Sequence, residues 1–194
     1  MTEPKTEAED TGLTGQLLIA MPGMMDPRFA HSVVYLCAHS DDGAMGLIIN
    51  KPVADLDLGD LLLQLELPVT DDFAPGRIHF GGPVEQARGF VLHTPDYSSP
   101  VATLKVDDQI SMTATIDVLE EIGTGRGPKR KLVALGYAGW GPGQLEAELG
   151  QNGWLTCECS PELIFALPDA EKWEAALKLL GVDALALSST AGHA

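Results

Sequence analysis

The stretch from Leu132 to Leu149 most constrains the fold, because it joins an apolar run to a glycine-rich turn and a helix start. Leu132 to Leu135 carries no charge, which is typical of a strand covered on both faces. Gly141-Pro142 predicts a helix start, since proline fits the first helical turn. Between them the chain has closely spaced glycines, which serve where backbones approach closely: Gly136, Gly139, Gly141 and Gly143. We therefore expect the fold to be organised around this segment.

A strand, a glycine turn and a helix N-terminus also describe a phosphate cradle. A dinucleotide fingerprint that began at Gly141 would place Glu146 where its third glycine belongs, and no Gly-Lys-Ser/Thr of a P-loop follows. Glu146 and Glu148 lie in or near the first turn of this predicted helix. Their negative charges would stabilise the positive end of the helix dipole but would repel a phosphate. The sequence thus favours a tight strand-to-helix connection. The rings of Tyr137 and Trp140 beside it either wall a pocket or fill the core.

The chain is strongly acidic, with 12 Lys and Arg against 28 Asp and Glu and a net charge of −16. This balance disfavours direct binding to nucleic acid and to anionic membranes. No secretory segment or membrane-length apolar run is found, and cysteine is sparse, so we expect a cytoplasmic protein without a membrane partner. Residues 1–14 predict a disordered acidic tail, and residues 15–194 a single domain.

Short apolar runs interleave with a few amphipathic segments, which predicts an α+β domain with a mixed sheet. Asp42-Gly43 between two apolar runs predicts a hairpin, so the sheet is at least partly antiparallel. Helices are predicted from the cap Asp57, from the cap Thr115, from Ser160-Pro161 and from the cap Asp169. Strands are predicted at residues 17–21, 32–39, 46–50, 78–80, 89–93, 101–106, 110–112 and 154–159.

Candidate catalytic groups are scattered. No Gly-x-Ser-x-Gly or His-Glu-x-x-His occurs. Cys37 and His39, two apart on a strand, should share a face and could form a thiolate–imidazole pair, although such neighbours usually only pack together. Cys157 and Cys159 could join His93 at a metal, but Cys-x-Cys lacks the usual Cys-x₂-Cys spacing. We therefore predict no catalytic residue, no metal and no cofactor.

Two further segments are candidates for binding. Gly81-Gly82-Pro83, with His93 near the end of a following strand, can offer backbone N–H groups to an anion, although an ordinary connection beside a satisfied histidine is the commoner arrangement. The loop from Gly123 to Lys131 holds four of the 12 basic residues, and such a run is usually solvated surface.

Several stretches together resemble the YqgE/AlgH family of bacterial proteins, in the family's own order from about Leu13 onward. They are residues 18–22, 43–52, 81–84, 89–93, 135–140 with 143–146, and the terminal Gly192-His193-Ala194. The resemblance implies a bacterial cytosolic protein whose sheet curls into a small barrel-like unit with flanking helices. It carries no established enzyme activity, and a label of transcriptional regulator is attached to some members.

Our leading hypothesis is a binding or regulatory module that acts through a protein or small-molecule partner, indirectly if it regulates transcription. Its predicted surface comprises Gly81, Gly82, Pro83, His93, Tyr137, Trp140, Gln144 and Glu146. One alternative is a small hydrolase or thiol-dependent enzyme that uses Cys37 and His39, or His93 with Glu146. Another is a structural or oligomeric scaffold.

Overall fold

The computed structural model describes residues 12–182, in which ten strands and five helices follow one another. The strands are β1 (Gln16–Ala20), β2 (Val33–Ser40), β3 (Gly43–Ile48), β4 (Pro52–Asp57), β5 (Arg77–Phe80), β6 (Val84–His93), β7 (Leu104–Lys105), β8 (Ser111–Thr113), β9 (Lys131–Trp140) and β10 (Trp154–Glu158). The helices are α1 (Leu58–Gln64), α2 (Ile116–Gly123), α3 (Gln144–Gly150), α4 (Pro161–Phe165) and α5 (Asp169–Leu179).

The strands form one curled sheet in the order β10-β1-β2-β3-β9-β6-β8-β7, and every neighbouring pair on this path is antiparallel. Off the path, β4 pairs with β5, and β5 runs parallel to β9. The sheet makes a half-barrel that the five helices flank. The predicted α+β class, with a mixed and largely antiparallel sheet, is confirmed.

Strand β9 is the hub of the sheet because it pairs with three strands. Along one edge it meets β6; along the other it meets β5 up to Leu135 and then β3 from Ala138. Gly136, at φ +75°, lies where the partner changes. The sequence predicted a turn from this glycine, but the strand continues to Trp140. The glycines allow close packing of the backbone here. Any other residue at position 136 would place its Cβ 2.3 Å from the Gly82 carbonyl oxygen, which is too close.

The sheet is buried on both faces, which explains its uninterrupted apolar runs. Along β2, Val33, Tyr35 and Cys37 join a first core cluster, which α4 and α5 cover. Val34 and Leu36 join a second cluster, which α3 covers through Leu145. A third cluster packs α1 and α2 against β5, β6 and β9.

Local sequence signals place most element ends. Asp57 caps α1, as the sequence predicted, and Asp60 completes a capping box with it. Helix α5 differs slightly, since Pro168 is its N-cap and Asp169 its first residue. Helix α3 begins after Gly143, at φ +74°, so Pro142 precedes the helix instead of opening it. Strand β4 was not predicted, because its mostly exposed side chains give no apolar pattern.

The predicted ends of the chain fall mainly outside the described residues. Residues 1–11 of the predicted tail and the terminal motif at residues 192–194 lie there. Of the remaining tail residues, Leu13 packs against the second core cluster, and the Thr14 hydroxyl accepts a hydrogen bond from the His39 amide at 3.1 Å. The structured region thus includes these two residues.

Candidate functional site

A groove of about 860 Å³ opens where the β2–β3 hairpin, the start of β6, β7 and the end of β9 meet. Apolar and aromatic side chains line much of it: Met45, Val84, Phe90, Leu104, Tyr137 and Trp140. Charged and polar residues complete its wall: Thr14, His39, Ser40, Asp42, Glu85, Arg88 and Lys105. The groove therefore combines an apolar body with charges of both signs.

The two predicted glycine segments lie against each other, next in the chain to Val84 and Tyr137, which line the groove. A Cβ on Gly81 would lie 2.2 Å from the Gly136 carbonyl oxygen, and one on Gly82 would lie 2.1 Å from the Tyr137 carbonyl carbon. The Gly81 amide donates to the Leu135 carbonyl at 2.8 Å. Pro83 then leads directly into Val84, which lines the groove. These contacts bring the first predicted turn to Tyr137.

The two predicted aromatic residues both line the groove and are both held in place. Tyr137 is half-buried and meets Phe90 edge-to-face, with ring centroids 5.6 Å apart. The Trp140 indole is buried, and its Nε1–H donates to Glu148 Oε2 at 2.5 Å. The same oxygen accepts from Trp154 Nε1–H at 3.2 Å. The contact of Glu148 with two tryptophans was not predictable from the sequence, because Trp154 lies on another strand.

His39, in the groove wall, forms a hydrogen-bonded pair with Glu146, which does not line the groove. His39 Nε2 lies 2.6 Å from Glu146 Oε1, and the exposed fractions of the two side chains are 2% and 48%. The backbone amide of Glu146 and the His39 imidazole lower the pKa of Glu146 below its usual value. The histidine that Glu146 meets is therefore His39 and not His93.

Gln144 has a structural contact. Its side-chain oxygen accepts a hydrogen bond from the Gly141 amide at 3.0 Å, which fixes the connection between β9 and α3. Neither Gln144 nor Glu146 lines the groove. Both predicted residues thus support its wall from behind instead of facing its interior.

His93 lies apart from the groove, in the core. Its side chain is fully buried, and Nδ1–H donates to the Thr94 carbonyl at 2.8 Å. Nε2 therefore accepts from the Thr113 hydroxyl at 2.8 Å, and Thr113 in turn accepts from Thr103. Burial lowers the pKa of His93, which keeps the imidazole neutral. The predicted placement of His93 in the binding surface needs correction: it is a satisfied core histidine.

The expectation that Cys37 and His39 share a strand face is wrong, because a β-bulge breaks the alternation of β2. The register against β3 shifts between Leu36 and Ala38. Cys37 consequently packs in the first core cluster, while Ala44, the cross-strand neighbour of His39, packs against the second. Cys37 is 1% exposed, and burial raises the pKa of its thiol to about 12. A thiol in this setting is protonated at neutral pH.

Cys157 and Cys159 share a face as predicted, since both pack with the first core cluster. Burial raises the pKa of Cys157 to about 11. Within residues 12–182, no group of three or more His, Cys, Asp or Glu side chains is placed to hold a metal ion.

The basic loop before β9 is partly neutralised. Arg126 lies 3.8 Å from Glu121, and Arg130 lies 3.4 Å from Glu162.

Among the helices of the described region, none combines the length and the apolar character needed to cross a membrane.

Comparison with known proteins agrees with this architecture. Residues 17–185 match the AlgH-like family. The chain belongs to the AlgH-like family. It is 61% identical over 183 residues to a UPF0301 protein of Ruegeria pomeroyi, which covers 94% of this chain and 99% of the relative. A UPF0301 protein of a Methylobacterium species is 53% identical over 94% of this chain and 90% of its own length. The resemblance found from the sequence motifs is thus confirmed.

Solved structures support the fold of this AlgH-like chain. It is similar to the solution structure of the AlgH protein from Pseudomonas aeruginosa, with 44% identity, a TM-score of 0.76 and full coverage of both chains. A crystal structure of a protein from Corynebacterium diphtheriae matches with a TM-score of 0.68 and 86% coverage of each chain. At 21% identity, the second likeness concerns the fold alone.

Proposed function

We propose that this AlgH-like protein is a ligand-binding regulatory module whose groove takes a small amphipathic molecule. The observation that carries the proposal is that Tyr137 and Trp140 line one groove of about 860 Å³. This volume lies in the range of small-molecule sites, which are mostly apolar with a few polar groups. Fixed rings and close-packed backbone give the groove a preformed shape, which lowers the entropic cost of binding.

The charges at the rim indicate which ligand fits. Arg88 lies over the Phe90 ring, 5.2 Å from its centroid, and 3.5 Å from Glu85. Both partners of that ion pair are about half exposed, at 54% and 53%, and such surface pairs contribute little stability. Arg88 can therefore exchange Glu85 for a ligand at small cost. A molecule with an aromatic or aliphatic body and one anionic group suits this arrangement.

A binding role agrees better than thiol catalysis with the chemistry of the groove. Cys37 contributes to its lining, but its thiol is buried and its pKa is raised to about 12. His39 is held by Glu146, which supports the groove wall. We therefore assign these groups to the shape of the site and not to bond making.

The regulatory part of the proposal is indirect. A net charge of −16 opposes contact with DNA, so the occupied groove would signal through a protein partner. The three free cysteines support a reducing cytoplasm as the location.

Anilinonaphthalene sulfonate, an aromatic anion, is a suitable probe of the groove. We expect its fluorescence to rise saturably with the wild-type protein. Tyr137→Ala and Arg88→Ala should each weaken the apparent affinity by about tenfold, as loss of a central aromatic or arginine anchor does. Arg126→Ala, which removes an exposed arginine that does not line the groove, is the matched control and should bind normally. Small-molecule fractions of the native cell would then be screened for displacement of the probe.

NMR amide shifts would locate the bound probe. We expect the largest changes at the groove residues of β6 and β9. Equal affinity in Tyr137→Ala, Arg88→Ala and the wild type, or shifts confined to another surface, would refute the groove as the binding site.

A further inference from the structure

A second cleft, of about 420 Å³, lies at the end of the sheet where β5 and β9 begin. The loop between α4 and α5 closes its other side through Leu167 and Pro168. Its lining residues differ from those of the groove, so the two are separate sites.

The cleft gathers positive charge in a strongly acidic protein. Arg77, Lys131 and Lys172 line it, which are three of the 12 basic residues of the chain, together with His79. Among residues 12–182, Asp169 is the single carboxylate of the lining. Without the imidazole, the three cations and the one carboxylate of this lining sum to a charge of +2. Such a concentration within a low-dielectric wall attracts anions.

The carboxylate of Asp169 is already fully engaged. Lys172 Nζ donates to Asp169 Oδ1 at 2.9 Å, and also to the Ile49 carbonyl at 2.7 Å. His79 Nε2 lies 2.9 and 3.0 Å from the two carboxylate oxygens. Arg77 Nη1 also lies 3.9 Å from Asp169 Oδ2, so this one carboxylate faces Arg77, His79 and Lys172 together. Among the described residues, Lys131 is the cation of the lining that meets no carboxylate.

Two nitrogen groups at this cleft have no partner among the described residues. The Lys131 ammonium makes no hydrogen bond or ion pair within residues 12–182, although its side chain is half-buried. His79 Nδ1 is buried and likewise has no hydrogen-bond partner. Buried polar atoms are normally paired, so the orphaned His79 Nδ1 indicates a missing partner, and the Lys131 ammonium in the same cleft is available to a ligand.

We propose that this basic cleft binds a phosphate group, held chiefly by Lys131 and Arg77, with His79 at its side. The local charge of +2 matches a phosphate dianion better than a single carboxylate. The ligand class is therefore a phosphate monoester or free phosphate. Because Lys131 and Arg77 do not line the groove, the proposal stands independently of the groove and its ligand.

Titration of the full chain with inorganic phosphate tests the site, with ¹H–¹⁵N NMR spectra recorded at constant ionic strength. We expect saturable amide shifts at Arg77, His79 and Lys131. Lys131→Met should weaken binding about tenfold, because a charge-assisted hydrogen bond is lost, whereas Lys131→Arg should retain it. Lys178→Met, which removes an exposed lysine that lines neither the groove nor the cleft, is the matched control and should bind as the wild type does. Arg77→Met, at a 72% exposed side chain, gives a second variant should Lys131→Met fold poorly.

Chloride and acetate complete the titration. Shifts that chloride reproduces, or equal phosphate affinity in the wild type, Lys131→Met and Arg77→Met, would overturn the site. Tighter binding of acetate than of phosphate would overturn the assignment to a phosphate group. A glycerol monophosphate that binds at the same residues as free phosphate would extend the assignment to monoesters.

Discussion

The backbone of Gly82 lies directly against that of Tyr137, so that a Cβ on Gly82 would come within 2.1 Å of the Tyr137 carbonyl carbon. This contact occurs just after β9 exchanges β5 for β3 as its partner, at Gly136. The chain that leaves β5 is therefore packed tightly against β9, the strand that carries Tyr137 and Trp140. Close backbone packing, and not a loop, thus sets the position of Tyr137.

Gly82→Ala should therefore destabilise the protein. The added methyl group meets backbone atoms that cannot move aside easily, and overpacking of this kind costs about 2–3 kcal/mol. Gly89→Ala is the matched control on the neighbouring strand, because no atom lies within 4 Å of its Cβ position. Its unfolding free energy should stay within about 0.5 kcal/mol of the wild type. Urea denaturation of both variants checks this, and equal midpoints would contradict the close approach.

Glu148 should stabilise the second core cluster through the two indoles that share its carboxylate oxygen. Glu148→Ala leaves two largely buried N–H groups without an acceptor, which should cost about 2 kcal/mol. Glu148→Gln retains an acceptor oxygen and should lose about 1 kcal/mol or less. Denaturation followed by tryptophan fluorescence measures both. Glu174→Ala, an exposed position on α5, serves as control; a loss as large there would show that helix charge and not indole pairing matters.

Features set by neighbours in the chain were predictable from the sequence. The cap at Asp57, the hairpin at Asp42-Gly43 and the central role of the segment from Leu132 follow from short-range patterns. The prediction ended β9 too early because glycines were interpreted as a turn, whereas Gly136 here permits close packing.

Contacts between distant positions were not predictable. His39 meets Glu146 across 107 residues, and His79 meets Asp169 across 90. The β-bulge beside Cys37 leaves no mark in composition, yet it separates Cys37 from His39. His93 shows the same difficulty, since its partner Thr113 lies 20 residues away. The sequence shows which side chains could take part in binding or catalysis, but only the fold determines which of them come into contact.

The buried imidazole of His93 should make stability depend on pH. Its pKa in the folded state is lowered from 6.5, mainly by burial, whereas the unfolded chain keeps the ordinary value. As the pH falls below 6.5, His93 binds a proton in the unfolded state but stays neutral in the folded state. The free energy of unfolding therefore decreases. His93→Gln should have a shallower slope in this range. Urea denaturation at a series of pH values measures it.

His31→Gln provides the comparison for His93, because His31 is exposed. Its slope below pH 6.5 should follow the wild type even if its overall stability changes. A wild-type slope that His93→Gln leaves untouched would assign the pH dependence to other groups.

Asp169 should govern stability at lower pH. The hydrogen bonds from His79 and Lys172 outweigh the effect of burial and lower the pKa of Asp169 from 3.8 to about 2. The stabilisation is complete above 3.8, where Asp169 is ionised in both states, and is lost as the pH falls towards 2. Asp169→Asn should therefore be less stable near neutral pH. Its free energy of unfolding should also fall less steeply as the pH is lowered, which gives the stability curve a flatter acid limb. Asp41→Asn, at an exposed turn, should keep the wild-type limb. Parallel acid limbs for wild type and Asp169→Asn would contradict the His79–Asp169–Lys172 network, because removal of its only carboxylate must remove its proton uptake.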